Sequence, residues 1–357
     1  MSAKTQIKAV DFFCGGGGMS YGIRKSGIKV LAGIDNDDNC RATYEANIKD
    51  SQFIQADVFE LTEKKLEKEL NIKPNDNNLV FIGCSPCQYW SIINTDRNKS
   101  QKSKNLLIEF ERFVKYFMPG YVIVENVPGI LRNKEESGLQ NFIDWLNTHK
   151  YNVHFEIHNT NDYGVPQNRK RFTLIASRVG NDKVKPIKSN KKKPHVIDVL
   201  GEKNGFPKIK AGHKDQTPFK HSVAGLNALN LRRLKKVKKN GGNRFDFADD
   251  KELQLKCFIN KNDSFKDTFG RLWWNRPAST ITTRFTSISN GRFVHPEENR
   301  GLSLREGAVL QTFPKDYIFE GTGMAAIAKI IGNAVPPEYA RRIGLAILEN
   351  HKNAVQN

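Results

Sequence analysis

The first 180 residues repeat one pattern, a short apolar run that stops at a glycine or polar residue and gives way to helical spacing. Ile7–Phe13 ends just before Gly15-Gly16-Gly17-Gly18, and helix-like spacing follows over Met19–Lys25. Val30–Ile34 stops at Asp35, with a helical stretch over Cys40–Asn47, and Phe53–Ala56 leads to Asp57. Leu79–Gly83 runs into Cys84-Ser85-Pro86-Cys87-Gln88, and Asn105–Phe117 has apolar positions every three or four residues. Tyr121–Val124 stops at Glu125-Asn126, Leu139–Asn147 reads as helix, and His154–His158 with Arg171–Ser177 reads as a closing hairpin. Such alternation predicts parallel βαβ units, hence an α/β fold with a doubly wound, mostly parallel, Rossmann-like sheet. Ligands of such sheets sit beyond the carboxyl ends of the strands, where these stop residues fall. Lys64–Leu70 reads as an exposed helix.

The pattern breaks near Gly180. Residues 181–320 are rich in glycine, proline and lysine and only weakly periodic, which predicts a second, smaller domain. Helical spacing returns over Ala325–Ile331 and Glu338–Leu348, so residues 321–357 are expected to rejoin residues 1–180. Lys183–Arg244 holds 18 basic and three acidic residues, a net of +15, which leaves only +4 for the rest of a chain of formal charge +19. A solvated lysine-rich surface, a lipid surface and a nucleic-acid backbone would each suit that charge. The turn formers within it and the aromatics after it, Phe265, Phe269, Trp273 and Trp274, favour a duplex. No run approaches the roughly 20 apolar residues of a membrane span. The start has no long apolar stretch before its first Asp, so no secretory signal is read there. Five cysteines are an odd number and too few for a disulfide scaffold, which points to a reducing cytosol.

The four glycines allow a backbone to come close to a ligand and open a helix. They do not meet the dinucleotide spacing GxGxxG, since Gly15 and Gly17 continue to Ser20. Asp35 is placed to accept from ribose hydroxyls and Asp57 from an exocyclic amine, so an adenosine-containing ligand without a pyrophosphate fits. Cys84-x-x-Cys87 admits zinc, a redox pair or a nucleophilic thiol. Zinc lacks a second ligand pair at the right spacing, and no metal ligands are assigned. A position at a strand end favours the nucleophile. Glu125 could cap a turn or, if buried and protonated, donate to a ring nitrogen. Arg169 and Arg171 alternate at strand spacing and are expected to share one face, either as a solvated edge or toward a ligand.

In order along the chain stand Asp11-Phe12-Phe13-Cys14-Gly15-x-Gly17-Gly18, Asp35, Asp57, Pro86-Cys87-Gln88-x-x-Ser91, Glu125-Asn126-Val127 and Gln167-x-Arg169-x-Arg171. Arg305-Glu306, Leu310-Gln311-x-Phe313-Pro314 and Gly332-Asn333-x-Val335 follow. This ordered set, spanning residues 7 to 347, resembles the cytosine-C5 DNA methyltransferases, specifically the compact bacterial type of restriction-modification systems. The chain departs from the family at Cys14, where Ala or Ser is commoner, and at Gly83-Cys84-Ser85, where Gly-Gly-x is usual. The resemblance implies S-adenosylmethionine as cofactor, converted to S-adenosylhomocysteine. It implies a pocket of Phe13, Cys14, Gly15, Gly16, Gly17, Gly18, Asp35, Asn36, Asp57, Val58, Pro86, Asn333, Ala334 and Val335. Residues 181–320 then correspond to the target-recognition domain.

The implied reaction starts with addition of the Cys87 thiolate to C6 of a cytosine, which raises electron density at C5. Glu125, carrying a proton, would donate to N3; Arg171 would hold O2, with Arg169 in support. The base must first leave the stack, at a cost on the order of a few kcal/mol. Gln88, Ser91, Arg97, Arg232, Arg233, Lys235, Lys236 and Arg244 are the expected DNA contacts, and Gln88–Lys104 is the expected closing loop. The implied partner is double-stranded DNA with a short recognition site, with a cognate endonuclease as a functional partner only. The protein is expected to be a monomer acting in the bacterial cytoplasm at the nucleoid. Two alternatives stand beside this reading: a tRNA cytosine-C5 methyltransferase on the same scaffold, and a non-catalytic sequence-specific DNA-binding regulator.

Overall fold

The computed structural model describes residues 6–86, 105–258, 265–321 and 323–356. Contacts divide the chain into two compact units. The first comprises residues 1–163, 170–189 and 335–357, and the second residues 164–169 and 190–334. Sequence reading drew the boundaries at 181 and 320. Residues 164–169 and 321–334 instead group with the second unit, and residues 181–189 with the first.

The first unit is built on seven strands. β1 (Lys8–Phe12), β2 (Lys29–Asp35), β3 (Gln52–Gln55), β4 (Leu79–Gly83) and β5 (Tyr121–Asn126) are parallel. β6 (Asn152–Asn159) and β8 (Lys170–Ser177) form the antiparallel hairpin that the sequence predicted, and β8 docks antiparallel on β5. The sheet order is β3-β2-β1-β4-β5-β8-β6. From β1 the chain winds outward through β2 to β3; β4 starts again on the other side of β1. The crevice of such a sheet opens beyond the carboxyl ends of β1 and β4.

β4 and β5 are buried at every position, which explains their continuous apolar sequences. α4 (Leu106–Phe117) buries Leu107, Phe110, Phe113, Val114 and Phe117 at helical spacing. Its rings close on Phe12 at centroid distances of 5.3 Å (Phe110) and 5.0 Å (Phe113). Of the other helices, α1 (Gly18–Ser26), α2 (Arg41–Asn47), α3 (Glu63–Leu70) and α5 (Leu139–Thr148) follow the expected places within a few residues. α3 is less isolated than its charge suggests: Leu66 is buried, and the Tyr116 hydroxyl donates to Glu67 at 2.6 Å.

α9 (Pro337–Gln356) returns to the first unit and lies on α1. A Cβ at Gly22 would stand 2.2 Å from the Pro337 carbonyl oxygen, and one at Gly344 would stand 2.2 Å from Ser26 Oγ. Only hydrogen at both positions permits this approach. Among the described residues no helix is long and apolar enough to cross a membrane.

The second unit has little regular structure. It contains the two-residue strands β7 (Gln167–Asn168) and β9 (Ala278–Ser279), and the helices α6 (Ala228–Lys236), α7 (Leu304–Leu310) and α8 (Met324–Asn333). Its apolar cluster joins Leu234, Val237, Phe247, Leu253, Phe269, Ile288 and Val294. Buried guanidinium groups do much of the work that backbone ladders do elsewhere. Arg271 donates to the carbonyls of Leu234, Val237, His295 and Glu298. Arg300 grips Glu306 through two bonds of 2.7 and 2.8 Å, and both residues are almost fully buried.

Despite its burial, the charge of Arg300 holds the Glu306 carboxyl down at about 2, against an ordinary value of 4.5. Burial holds His295 down to about 4 from 6.5. Both folded-state values lie below the unfolded ones. Their stabilisation is therefore complete above pH 6.5 and is lost as pH falls, first through His295 and then through Glu306 toward pH 2. Replacing Glu306 by Gln should destabilise the second unit by about 3 kcal/mol at pH 7, because buried Arg300 loses one of its two carboxylate partners and keeps only Glu298. The loss of stability below pH 4.5 should also become shallower in that variant. Urea denaturation followed by tryptophan fluorescence between pH 3 and 7 measures both effects; an unchanged midpoint would show that the pair contributes nothing.

Candidate active site

The carboxyl ends of β1, β2 and β3 present the glycine loop, Asp35 and Asp57 side by side. Phe13 and Gly15 both take left-handed backbone angles (φ 62° and 50°), and Gly17 (φ 85°) starts α1 with no side-chain cap. The loop is held from β2: the Asp35 carboxylate accepts from the Gly15 N–H at 2.8 Å and from the Asp37 N–H at 2.9 Å. Asp35 therefore shapes the loop as well as facing its mouth. Nothing lies within 4 Å of where a Gly15 side chain would begin. Asp57 accepts from the Phe59 N–H at 3.1 Å. Val58 is buried, Asn36 and Pro86 are exposed, and Phe13 is half-buried.

Beneath this loop is a group that sequence reading quoted only as part of a motif. Asp11 is fully buried in β1, and burial pushes its carboxyl up to about 7, although Ser20 Oγ donates to it at 2.6 Å. Ser20 in turn accepts from the Tyr44 hydroxyl at 3.3 Å. The bond from Ser20 ties the first turns of α1 to β1. An acid inside an otherwise apolar run, Ala-Val-Asp-Phe, was the signal available.

At the end of β4, Cys84 continues the ladder, its N–H reaching the Phe12 carbonyl at 3.4 Å. Burial, followed by the charge of Glu125, pushes the Cys84 thiol well above its usual range. Burial and Asp35 do the same to Cys14. Both stay protonated and are poor nucleophiles. Asn126 then fixes the next residue: its side-chain amide donates to the Ser85 carbonyl (3.3 Å) and to Ser85 Oγ (3.2 Å), while its oxygen accepts from the Val127 N–H at 2.8 Å. This clamp is the second contact that sequence reading missed. Its signal was an amide at the end of a fully buried strand. Cys87, Gln88, Ser91, Arg97 and the loop Gln88–Lys104 lie outside the described residues.

Glu125 ends β5 buried, with Oε1 3.0 Å from Arg171 Nε on the neighbouring β8. Glu125 was expected to carry a proton and to share one site with Arg171; the structure sets the two side by side as an ion pair. Arg169 does not share a run with Arg171, because the strand is interrupted between them. β7 pairs with β9 in the second unit, and β8 begins only at Lys170. The buried Arg169 guanidinium donates to the carbonyls of Ile281 (2.9 Å), Gly332 (3.2 Å) and Ala334 (3.1 Å). Gln167 bonds the Leu310 carbonyl, Gln311 Oε1 and the Ile281 N–H. Arg169 thus holds the end of α8 and Gln167 the end of α7; at the end of α8 Asn333 is exposed and Ala334 half-buried. Val335 begins the segment that returns to the first unit.

The basic run of α6 divides by helical period. Arg232, Lys235 and Lys236 are exposed, whereas Arg233 is buried with Leu234. Arg233 donates to the Leu253 carbonyl at 2.8 Å and to Asn230 Oδ1 at 2.9 Å. Arg244 is also buried, stacked 4.2 Å from the Phe245 ring and 4.7 Å from that of Phe258. Both were expected on the DNA face. They are internal because a planar guanidinium can satisfy loop carbonyls that have no ladder partner.

Among the described residues, one set of three potential metal ligands converges: His154, Glu156 and His158 on β6. Their spacing of two was visible in the sequence and was not used.

Comparison with known proteins agrees with this geometry. A crystal structure described as a DNA modification methyltransferase encoded within an E. coli prophage superposes with a TM-score of 0.73 at 20% identity, covering 98% of this chain and 100% of that one. The S. pombe Dnmt2 methyltransferase gives 0.62 at 16%, with 97% and 99% covered. At these identities the likeness speaks for the fold. Type II methylase M.HgiDII of Herpetosiphon aurantiacus is 34% identical over 343 residues, 95% of this chain and 94% of the relative. Type II methyltransferase M1.HphI of Haemophilus parahaemolyticus is 30% identical over 346 residues, covering 96% and 87%. The family model for the C-5 cytosine-specific DNA methylases matches residues 7–349. A match of that extent, on a sheet whose strand ends carry these residues, places the chain in the C-5 cytosine-specific DNA methylase family.

Proposed function

We propose that the protein methylates C5 of a cytosine in a short site of duplex DNA, with S-adenosylmethionine as donor and Cys87 as nucleophile. The observation that carries this reading is the ion pair of buried Glu125 with half-buried Arg171, at the end of the strand adjacent to the one that runs into Pro86-Cys87.

The site suits the cofactor. The space at Gly15 and the left-handed turn of the loop leave room for a close ligand. Asp35 and Asp57 supply acceptors for ribose and adenine amine, and Phe13 a ring to stack on. Cys14, Gly16, Gly18, Asn36, Val58 and Pro86 lie along the same strand ends. The places of Asn333, Ala334 and Val335 in the pocket rest on the motif alone. When bound, S-adenosylmethionine supplies an electrophilic methyl group.

The chain's own residues do the rest. Asn126 fixes Ser85, two residues before Cys87 in the sequence. The Cys87 thiolate adds to C6 of the base, and negative charge develops toward N3 and O2. Arg171 is already placed against Glu125 and can take O2, while Glu125, once protonated, donates to N3. Elimination of Cys87 after loss of the C5 proton restores the ring. Arg169 acts at a distance, as a positioning residue for the end of α8. Exposed Arg232, Lys235 and Lys236 serve as phosphate contacts, while Arg233 and Arg244 hold the scaffold of the target-recognition unit. Gln88, Ser91 and Arg97 are assigned to the DNA by sequence.

Relatives named as type II methylases support a role in protecting host DNA beside a cognate endonuclease; a monomer acting at the nucleoid of a bacterial cytoplasm is proposed from the sequence resemblance alone. A tRNA substrate is disfavoured by the large basic second unit, and a purely binding role by the intact Cys87, Glu125 and Arg171.

Replacing Cys87 by Ala should abolish methyl transfer to duplex DNA and leave duplex affinity within a few-fold. Radiolabelled transfer assays on duplex and tRNA side by side, with bisulfite sequencing of host DNA, decide this; full activity of the variant, or transfer to tRNA alone, would overturn the reading. Asn126→Ala should lower kcat by about 10- to 100-fold with little change in DNA affinity, because the nucleophile is misplaced by a fraction of an ångström to an ångström. Binding should weaken steeply with salt, and removing Lys235 and Lys236 should each reduce the log–log slope by about 1. An unchanged slope would remove α6 from the interface.

A further inference from the structure

β6 is the edge strand of the sheet, and it carries His154, Glu156 and His158 at every second position. Alternate residues of a strand point to one face, so the three side chains emerge together. One nitrogen from each imidazole and one carboxylate oxygen all lie within 4.8 Å of one another. His154 Nε2 stands 3.7 Å from Glu156 Oε2, too far for a hydrogen bond. Nε2 of His154 and Nε2 of His158 are both buried without a hydrogen-bond partner, and His158 as a residue is only 6% exposed. A buried polar atom left unsatisfied calls for an explanation, and an ion is one of the few that serve.

The far side of His158 is already fixed. Its Nδ1 lies 2.7 Å from the Tyr163 hydroxyl, and Tyr163 packs edge-on against Tyr339 at 5.0 Å. If Nδ1 carries the proton and donates to the phenol oxygen, Nε2 presents its lone pair to the cluster. Histidines that bind metals are oriented by such a bond on the other nitrogen. Burial lowers the proton affinity of both imidazoles, helped by Lys183 and Lys185 at His154 and by Lys188 at His158, and opposed by Glu156. The neutral form is the ligating one.

We infer that His154, Glu156 and His158 form a binding site for a divalent transition-metal ion of the zinc class. Two imidazoles and one carboxylate suit zinc or its neighbours, whereas magnesium and calcium need more oxygen ligands. The nearby lysines also disfavour a purely electrostatic site. Zinc bonds of about 2.0–2.1 Å in tetrahedral geometry place ligand atoms about 3.3 Å apart, a contraction that takes rotation of the half-buried His154 as well as of the exposed Glu156. A fourth position is left for water. His158 pairs across the hairpin with Arg171, so the ion would brace the strand that carries Arg171.

The test uses the tag-free, chelator-stripped full chain, titrated with zinc chloride by calorimetry and with cobalt(II) by absorption. We expect zinc to bind at this site with one ion per chain and to raise Tm. Binding should weaken at least tenfold in His154→Ala and His158→Ala, and the cobalt spectrum should lack thiolate charge-transfer bands. Should His158→Ala fail to fold, His154→Ala and Glu156→Gln, which change more exposed positions, give the answer. Absence of saturable binding, affinity unchanged in the variants, or a thiolate spectrum that places the ion on the cysteines would each overturn the inference.

Discussion

Strands buried on both faces tolerate polar side chains almost only at their ends, and that constraint orders the first unit. β4 and β5 are apolar throughout until Cys84-Ser85 and Glu125-Asn126. β2 and β3 run out at Asp35 and just before Asp57. Because β1 and β4 are neighbours whose connections diverge, these ends gather around one crevice. Asp11 is the exception inside the sheet, and its burial is met by the bond from Ser20. Burial holds this carboxyl up to about 7, so the cost of a buried charge is relieved only below neutral pH, where the group carries its proton.

The two units keep their order by different means. In the first, backbone ladders satisfy the peptide groups, and side chains act mainly at the sheet's edge. In the second, arginines reach the carbonyls that loops leave unpaired, as Arg271, Arg292 and Arg305 do. The +15 of Lys183–Arg244 therefore overstates the charge available to a phosphate backbone. Its lysines are mostly on the surface, while Arg233 and Arg244 are inside. The division has a chemical reason: a guanidinium offers five donors in a fixed plane, an ammonium only a compact, strongly hydrated charge.

Much of the first unit was legible because each strand and helix carries its own period. The hairpin of β6 and β8 was visible in this way, but its docking on β5 was not, since antiparallel insertion leaves no local mark. α9 extends past Leu348 to Gln356 although its last turns are polar; Asn350 and His351 are tied to the Tyr121 hydroxyl at 3.0 and 3.3 Å. Of the site, the acids and glycines could be read from position alone. The Asn126 clamp and the inward turn of Arg169 could not, because each depends on a partner distant in sequence. β7 and β9, two residues each, are too short to show any period.

The close packing of Gly22 and Gly344 has a consequence for biosynthesis. The helix that follows the glycine loop leaves the ribosome long before its neighbour, with the whole second unit between them in sequence. Until Pro337–Gly344 emerges, α1 exposes a flat strip shaped for another backbone, and the whole second unit is translated in the meantime. Domains that fold as they are made usually do so from the amino terminus. Here the nascent chain must keep an unfinished half waiting, so a truncated product would have its nucleophile and glycine loop but no completed framework around them.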